Sequence, residues 1–219
     1  MGETILTQVQ KKILSLLAKD EVFTKHFYLT GGTALAWFYL HHRYSEDLDF
    51  FSHQEIDSLW LIGLAKKLKL EIKAQKVDIQ QSFNRNLVFF TLNKKIVKTE
   101  FTYFPFEQIE KPRLIKGIKV DSLLDIAVNK FLTIYQQPAA RHFIDLYFVL
   151  KEKKISWERL EKLTRIKFDI VIDPIQLGSQ LITAQDLSDL PKMIVKLPAR
   201  EWKEYFLKKA KGLKNKITT

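Results

Sequence analysis

Apolar positions follow helical spacing in some parts of the chain and form short strand-like runs in others. Residues 5–19 carry apolar side chains every three or four positions, which predicts an amphipathic helix. Apolar runs at 27–29 and 48–51 predict two buried strands, and a helix capped by Thr33 is expected between them. Residues 55–69 return to helical spacing. The beginning of the chain is therefore expected to alternate between helices and strands.

Strand-like runs dominate the next segment, and a long helical segment follows it. The runs are at 71–81, 86–92 and 95–104. Asn93-Lys94 predicts a hairpin between the last two runs, and Pro105 and Pro112 bracket a connector. Helical spacing then predicts helices over 121–136, 138–151, 156–166, 175–184 and 198–213.

These patterns predict an α+β fold in two parts. Residues 1–110 are expected to form a mixed sheet with flanking helices, and residues 111–219 a helical region. With 219 residues, of which 46% are hydrophobic and 12% aromatic, the chain can bury a sizeable core. Because it has no cysteine, disulfide and thiolate chemistry are excluded, which suits a cytoplasmic protein.

Neither a secretion signal nor a membrane helix is expected. The start, MGETILTQVQKK, is amphipathic rather than a charged segment followed by an apolar block. No apolar run approaches the roughly 20 residues that a membrane-spanning helix needs. The sequence therefore predicts a cytoplasmic protein without a membrane partner.

Positive charge is concentrated in the second half of the chain. The formal net charge is +11. Residues 1–110 hold 14 lysines and arginines against 13 acidic residues, whereas residues 111–219 hold 22 against 12. This asymmetry indicates a polyanionic partner such as a nucleic acid. The alternative is a solvated basic surface that only aids solubility.

Two aspartates lie in the second strand-like segment. Asp47 and Asp49 are two residues apart in RYSEDLDFF, so in a strand both project from the same face. Aspartate is disfavoured in strands, and two neighbouring carboxylates repel each other, so a cation between them is indicated. Their hard oxygen ligands suit Mg²⁺. Two aspartates in a solvent-exposed loop are the alternative.

Glu100 is a third acidic residue in an apolar setting, flanked by Val97 and Phe101. If its strand lies beside the strand of Asp47 and Asp49, three carboxylates converge. Such a set can hold two metal ions for an in-line phosphoryl displacement, so two Mg²⁺ ions are expected, with Mn²⁺ as a substitute. The alternative is a solvent-facing residue on an edge strand.

The Gly31-Gly32-Thr33 turn precedes a predicted helix. Glycine allows positive φ and close backbone approach, and the free N–H groups of a helix N-terminus favour an anion. A triphosphate bound there would gain the Thr33 hydroxyl as an added donor. A tight turn that merely needs glycine is the alternative.

Together these segments resemble the nucleotidyltransferase superfamily, whose signature is a Gly-Gly or Gly-Ser turn, a D-x-D strand and a third carboxylate on a later strand. In particular they resemble the AbiEii/AbiGii toxin family, in which GGTALA and HR-x-S-x-DLDFF are typical. The resemblance runs from about residue 20 to about residue 155. It implies that Arg43 and Ser45 bind nucleotide along with the glycine turn. Glu100 departs from the superfamily, where this third residue is often aspartate.

A further family motif is a lysine on one helix followed by an arginine and an aspartate on the next, and DIAVNKFLTIYQQPAARHFIDL supplies Lys130, Arg141 and Asp145. Helical spacing alone places Lys130 beside an apolar stripe and makes Arg141 and Asp145 i, i+4 neighbours on one helix face. The alternative to a functional role for Arg141 and Asp145 is a simple surface ion pair. The resemblance implies that Lys130 binds a nucleotide phosphate and that Arg141 binds phosphate or Asp145. Asp145 would orient these cations or accept a proton.

Three histidines lie near these motifs: His41, His42 and His142. They are expected at helix ends or on polar faces rather than as metal ligands, because the sequence has no H-x-x-x-H zinc pattern.

The resemblance implies a metal-dependent enzyme that moves a nucleoside monophosphate from an NTP to an acceptor hydroxyl. The implied acceptor is RNA, with the tRNA 3′ end expected, and the implied role is a phage-defence toxin restrained by an antitoxin. Two alternatives stay open. A small-molecule, antibiotic-type nucleotidyltransferase would need an acidic pocket for a cationic acceptor, which the positive second half argues against. A non-catalytic nucleotide- or RNA-binding module of the same fold is the other.

The C-terminal segment KEYFLKKAKGLKNK carries six lysines and one glutamate. A helix here would bury Trp202, Tyr205, Phe206 and Leu213. Its exposed lysines predict an RNA-binding face made of Lys208, Lys209, Lys211 and Lys214. Alternatively the segment docks on the core or contacts the antitoxin.

Overall fold

The computed structural model describes residues 5–93, 95–152 and 155–213. The first elements are α1 (Gln8–Leu17), α2 (Glu21–His26), β1 (Phe27–Thr30), α3 (Gly31–Ala34) continuing as a π-helix (Leu35–Leu40), β2 (Leu48–Ser52) and α4 (Ser58–Glu71). The remaining strands are β3 (Lys76–Gln81), β4 (Arg85–Leu92), β5 (Lys95–Tyr103), β6 (Arg113–Ile115) and β7 (Ile118–Val120). The later helices are α5 (Leu123–Gln136), α6 (Ala140–Glu152), α7 (Trp157–Phe168), α8 (Pro174–Ile182), a 3₁₀ turn (Thr183–Gln185) and α9 (Ala199–Gly212).

The strands form one mixed seven-stranded sheet in the order β3-β4-β5-β2-β1-β7-β6. β2 is the central strand, and it pairs parallel with β5 and antiparallel with β1. β3, β4 and β5 form an antiparallel meander, and β1 pairs parallel with β7. The predicted mixed sheet with flanking helices is confirmed, and the strand that carries Asp49 lies at its centre.

Two features of the sheet part were not predicted. Residues 113–120 form the β6–β7 hairpin, which extends the sheet beyond residue 110 through the pairing of β7 with β1. Lys116 and Gly117, at its turn, both have positive φ, which suits a two-residue hairpin turn. The helix α2 is only six residues long and is capped by the Asp20 carboxylate, which accepts from the Phe23 N–H. Both elements are too short to produce a periodic signal.

The chain divides into two compact units. The sheet unit comprises the chain up to Tyr39 together with Ser45–Ser122. The helical unit comprises Leu40–Tyr44 together with the chain from Leu123 onward. The short segment 40–44 thus belongs with helices that lie far from it in sequence.

Aromatic side chains fill the core of the sheet unit. Phe27 stacks on Phe23 and on Trp60, with ring centroids 5.5 and 5.1 Å apart. Phe50 and Phe101, which face each other across the β2–β5 pair, are 5.3 Å apart and fully buried. Such contacts hold the central strands rigidly, because each large ring contributes both buried area and a preferred geometry.

The helical unit buries a second aromatic cluster. Phe143 of α6 contacts Trp202 and Phe206 of α9, with centroids 6.0 and 4.9 Å apart. Burial of Trp202, Phe206 and Leu213 confirms the predicted inner face of this helix, whereas Tyr205 is only half-buried. α9 therefore docks on the unit through one face.

None of the helices in the described part of the chain combines the length and the apolar character that crossing a bilayer requires.

Candidate functional site

Two of the three predicted carboxylates lie directly beside each other in the sheet. Asp49 of β2 is the register partner of Glu100 of β5. Asp47 lies one residue before β2 and two residues before Asp49. Because side chains alternate between the two faces of a strand, Asp47 continues on the face of Asp49. The predicted adjacency of the two acidic strands is confirmed. Both strands are internal, so Glu100 is not an edge-strand residue.

The glycine turn contacts the strand of the aspartates. Thr30, the last residue of β1, pairs with Asp49, and the next residue, Gly31, has a φ of +72°. A Cβ on Gly31 would collide with the carboxylate of Asp49. Glycine is thus required here both by the backbone conformation and by the close approach of Asp49.

Thr33 plays a different role from the one predicted. It lies inside the first helical turn, not at the cap, because the helix begins at Gly31. Thr33 is fully buried, and its hydroxyl donates to the backbone carbonyl of Asp47. The prediction of a helix cap at Thr33 is therefore wrong, and the role of Thr33 as an added nucleotide donor stays a prediction. Its contact instead fixes the start of the helix against the aspartate segment.

Two basic residues of the sheet unit pair with these carboxylates. Lys98 Nζ lies 2.7 Å from Asp47 Oδ2 and 3.8 Å from Glu100 Oε2. Arg85 Nε and Nη2 each donate to one oxygen of Glu100 at 2.8 Å. Burial alone would raise the pKa of Glu100, but the hydrogen bonds and charge of Arg85, with the Thr102 hydroxyl and Lys98, hold it below its ordinary value.

The side chains of the three carboxylates are not arranged as a complete metal site. Among the residues described, no three His, Cys, Asp or Glu side chains are arranged to hold an ion. The donor chemistry nevertheless fits a hard divalent cation, since adjacent strands carry carboxylates and Gly31 leaves room at Asp49 that a side chain would fill. The ligand roles of Asp47, Asp49 and Glu100 therefore stay predictions.

In the helical unit, Asp145 is the centre of a buried ionic cluster. Its side chain is fully buried. Arg43 Nε donates to Asp145 Oδ1 at 2.6 Å and Arg43 Nη2 to Oδ2 at 2.8 Å, while His42 Nε2 lies 2.8 Å from Oδ1. Lys130 Nζ lies 3.0 Å from Oδ2. Burial alone would raise the pKa of Asp145, but the charges of Arg43 and Lys130 and the hydrogen bonds hold it well below its ordinary value.

A strand-like pairing holds the arginine of this cluster in place. Arg43 forms a β-bridge with Met193, and the backbone N–H groups of Ile194 and Val195 both donate to the carbonyl of His42. Tyr44 N–H donates to the carbonyl of Lys192 at 2.9 Å. The segment 192–195 thus orients a site residue that lies far from it in sequence.

Lys130 is almost completely buried, with 9% of its side chain exposed. Its Nζ is 3.3 Å from Nδ1 of His142. Burial, followed by the positive charges of Lys130 and Arg141, lowers the pKa of His142 to about 3, so this imidazole is neutral at physiological pH. A neutral ring can accept a hydrogen bond from the ammonium at Nδ1. Lys130 therefore has two neighbours that accept its protons.

The structure changes the roles predicted for several of these residues. Asp145 is buried with Arg43 and Lys130 rather than forming a surface ion pair, whereas Arg141 lies exposed on α6. Arg43 directs its guanidinium at Asp145, which is a positioning contact, and its nucleotide role stays a prediction. His42 is fully buried against Asp145, not on a polar face. Ser45 lies half-buried in the sheet unit, and its nucleotide role stays a prediction.

The lysines of α9 have different surroundings. Lys208 and Lys211 are exposed. Lys209 packs over the rings of Trp157 and Tyr205, with its Nζ 5.5 and 5.8 Å from their centroids. Lys214 lies outside the described residues. The RNA-binding role of these lysines stays a prediction, and of the three that the structure describes, Lys208 and Lys211 are the exposed ones.

Comparison with known proteins identifies similar sequences and folds. Residues 13–213 match a family described as nucleotidyl transferase AbiEii toxin of type IV toxin–antitoxin systems. An uncharacterised protein of Aquifex aeolicus (strain VF5) is 33% identical over 144 residues, covering 65% of this chain and 66% of the relative, just under two thirds of its length.

Two solved structures share the fold along most of the chain. JHP933 from Helicobacter pylori superposes with a TM-score of 0.61 at 21% identity, covering 96% of this chain and 91% of that one. MenT4, a nucleotidyltransferase toxin from Mycobacterium tuberculosis H37Rv, gives a TM-score of 0.55 at 13% identity, covering 97% and 86%. At these identities the likeness shows the fold alone.

Proposed function

Because the chain belongs to the AbiEii nucleotidyltransferase toxin family, we propose that it transfers a nucleoside monophosphate from an NTP to a hydroxyl of RNA and releases pyrophosphate. The tRNA 3′ end is the proposed acceptor. The reaction would require Mg²⁺, with Mn²⁺ as a substitute, and would take place in the cytoplasm. A cognate antitoxin would restrain this activity, which in the proposed role protects a bacterial population against phage.

One observation carries the proposal for the metal and the NTP. The Gly31 turn is in close contact with Asp49, and Asp49 is the register partner of Glu100. A backbone turn that favours an anion thus lies against carboxylates that favour a divalent cation. An NTP carries both kinds of group, since its phosphates are anionic and bind Mg²⁺.

Asp47, Asp49 and Glu100 would hold the metal. Bound there, a divalent cation would polarise the phosphoryl oxygens and neutralise the charge that develops in the transition state. The chain's own contribution is mainly positioning: Thr33 fixes the Asp47 backbone, and the hydrogen bonds from Arg85 fix the Glu100 carboxylate. Such preorganisation lowers the barrier without rearrangement during the reaction.

The ionic cluster of the helical unit supports a phosphate-binding role for Lys130. Arg43 and Lys130 both contact the carboxylate of Asp145. A cluster that brings two cations together suits an anion such as a nucleotide phosphate, and exposed Arg141 adds a further cation on the neighbouring helix turn. Because the pKa of Asp145 is well below its ordinary value, Asp145 orients these cations and is a poor proton acceptor.

The RNA acceptor is supported by charge. Residues 111–219 hold 22 lysines and arginines against 12 acidic residues, and Lys208 and Lys211 are exposed on α9. Phosphate contacts from such lysines provide sequence-independent affinity for nucleic acids. A cationic antibiotic would be repelled by the same surface, which disfavours the small-molecule alternative.

The proposal is tested by incubating the protein with Mg²⁺, total RNA and each of the four NTPs in turn, labelled at the α-phosphate. Label is expected in an RNA band of tRNA size on a denaturing gel, with one NTP preferred. The same NTP labelled at the γ-phosphate should leave RNA unlabelled, because pyrophosphate departs. Label on an aminoglycoside instead of RNA would favour the small-molecule alternative, and no Mg²⁺-dependent label with any acceptor would favour a non-catalytic binding module.

A further inference from the structure

Lys98 has a place in the sheet that the family signature does not explain. It lies on β5 two residues before Glu100, so both side chains leave the same face of the sheet. The parallel register pairs Leu48 with Thr99 and Asp49 with Glu100, and just before its first pair Lys98 Nζ contacts Asp47 Oδ2. The register therefore inserts a lysine among the proposed metal ligands.

The lysine contacts the carboxylates unequally. Its Nζ is 2.7 Å from Asp47 and 3.8 Å from Glu100. Glu100 also has the two-pronged hydrogen bond from Arg85 and one from the Thr102 hydroxyl, and only 10% of its side chain is exposed. The Arg85 side chain is 57% exposed, and in the pair of Lys98 and Asp47 the exposed fractions are 26% and 41%.

These differences separate a fixed ion pair from a labile one. Arg85 and Glu100 form a bidentate pair, which is the stronger and more rigid kind of charged hydrogen bond. Lys98 makes one hydrogen bond to Asp47 and lacks the two-pronged geometry of the Arg85 pair, and a single contact between partly exposed charged groups is weak. Lys98 can therefore leave Asp47 at small cost, while Glu100 stays in place.

We propose that Lys98 is a built-in counter-ion that a divalent cation displaces from Asp47, so that Lys98 sets the affinity of the carboxylate site for metal. The inference rests on the proposed function, because it assumes that Asp47, Asp49 and Glu100 are metal ligands. Without metal, Lys98 offsets repulsion between the carboxylates. When a divalent cation binds, it takes over this neutralising role and repels the ammonium, which swings away on its flexible stem. Lys98 is a positioning residue in this scheme.

Binding of Mn²⁺ alone tests the proposal without any need for an active enzyme. The fraction of free Mn²⁺ is measured by electron paramagnetic resonance during titration of the whole protein at pH 7.5 and low salt. In Lys98→Met the competing charge is gone, and Mn²⁺ should bind roughly tenfold more tightly than in the wild type, equivalent to about 1.4 kcal/mol. Lys98→Arg should keep the wild-type affinity within about threefold, because the counter-ion is restored.

Lys95→Met is the matched control. It removes the same charge from the same strand, but Lys95 is exposed and lies an odd number of positions from Lys98, so it leaves the opposite face. Its Mn²⁺ affinity should stay within about twofold of the wild type. A similar gain in Lys95→Met and Lys98→Met would indicate a general charge effect and overturn the specific role of Lys98.

Two further outcomes overturn the proposal in distinguishable ways. If Lys98→Met, or Lys98→Gln should the methionine variant fold poorly, binds Mn²⁺ no more tightly than the wild type, the counter-ion role is refuted and the transferase proposal stands. If neither the wild type nor any Lys98 variant binds Mn²⁺, the metal assignment of the three carboxylates is refuted together with the counter-ion role. Asp47→Asn should abolish the gain in a double variant with Lys98→Met.

Discussion

Replacing Asp145 by asparagine should destabilise the helical unit strongly. The substitution keeps the size of the side chain and removes only its charge. Arg43 is 4% exposed, and 9% of the Lys130 side chain is exposed, so both cations would lose the carboxylate that they contact in a buried place. The asparagine amide would also direct its own N–H groups at donors that now bind the carboxylate.

The magnitude follows from the burial of the cluster. Removing one partner of a buried ion pair costs about 3 to 5 kcal/mol, because an unpaired buried charge remains. For a chain of this size each kcal/mol lowers the melting temperature by about 2 to 4 °C, so a fall of about 10 °C is expected. Glu204→Gln is the matched control. It breaks an ion pair between exposed side chains of Arg200 and Glu204 and should have no measurable effect.

Urea unfolding followed by circular dichroism measures these changes. Adding Lys130→Met to Asp145→Asn should recover part of the lost stability, because it removes one of the two cations that contact the carboxylate. The double-mutant cycle should give a coupling free energy of at least about 1 kcal/mol. A loss below about 1 kcal/mol in Asp145→Asn, or simple additivity with Lys130→Met, would refute the account of Asp145 as the charge that holds the cluster together.

Two other predictions concern pH and RNA binding. The folded pKa of His142 is about 3, below its ordinary value of 6.5, so the unfolded chain binds a proton that the folded chain does not, and stability should fall as pH drops from 6.5 towards 3. At pH 5 this loss is about 2 kcal/mol, and urea unfolding of His142→Gln should show a correspondingly smaller decline between pH 7 and 5. In filter binding, Lys208→Gln with Lys211→Gln should weaken RNA affinity and flatten the log–log salt slope by about 1.4, whereas Lys66→Gln with Lys67→Gln, equal in charge but on α4, should leave the slope unchanged. An unchanged slope in the first pair would remove α9 from the RNA surface.

Spacing along the sequence was enough to find residues whose neighbours are local. Asp47 and Asp49 share a face because a strand has a period of two, and the apolar stripe beside Lys130 comes from the period of its helix. The adjacency of Glu100 was conditional on strand order, which the β2–β5 pairing confirms. Local sequence patterns were therefore enough to identify the acidic residues and to predict the fold class.

Contacts that depend on register or on distant segments could not be read in this way. Arg85 meets Glu100 only because β4 pairs with β5 in one register. Arg43 and His42 are held by residues 192–195, for which the sequence showed no pattern. The alternation in K-T-E was enough to predict that Lys98 and Glu100 leave the same face of a strand. The contact of Lys98 with Asp47 could not be predicted, because it depends on how two strands pair.

The central claim is that nucleotidyl transfer depends on the carboxylates of Asp47, just before β2, and of Asp49 on β2. Its most direct test is α-labelled NTP transfer to total RNA by the double variant Asp47→Ala with Asp49→Ala, beside the wild type and Asp78→Ala. Asp78 lies on β3 of the same sheet in an exposed pair with Lys76, so its loss controls for charge removal. The account predicts that the double variant stays folded and loses Mg²⁺-dependent transfer to background, while Asp78→Ala keeps wild-type transfer. Wild-type transfer by the folded double variant would contradict it.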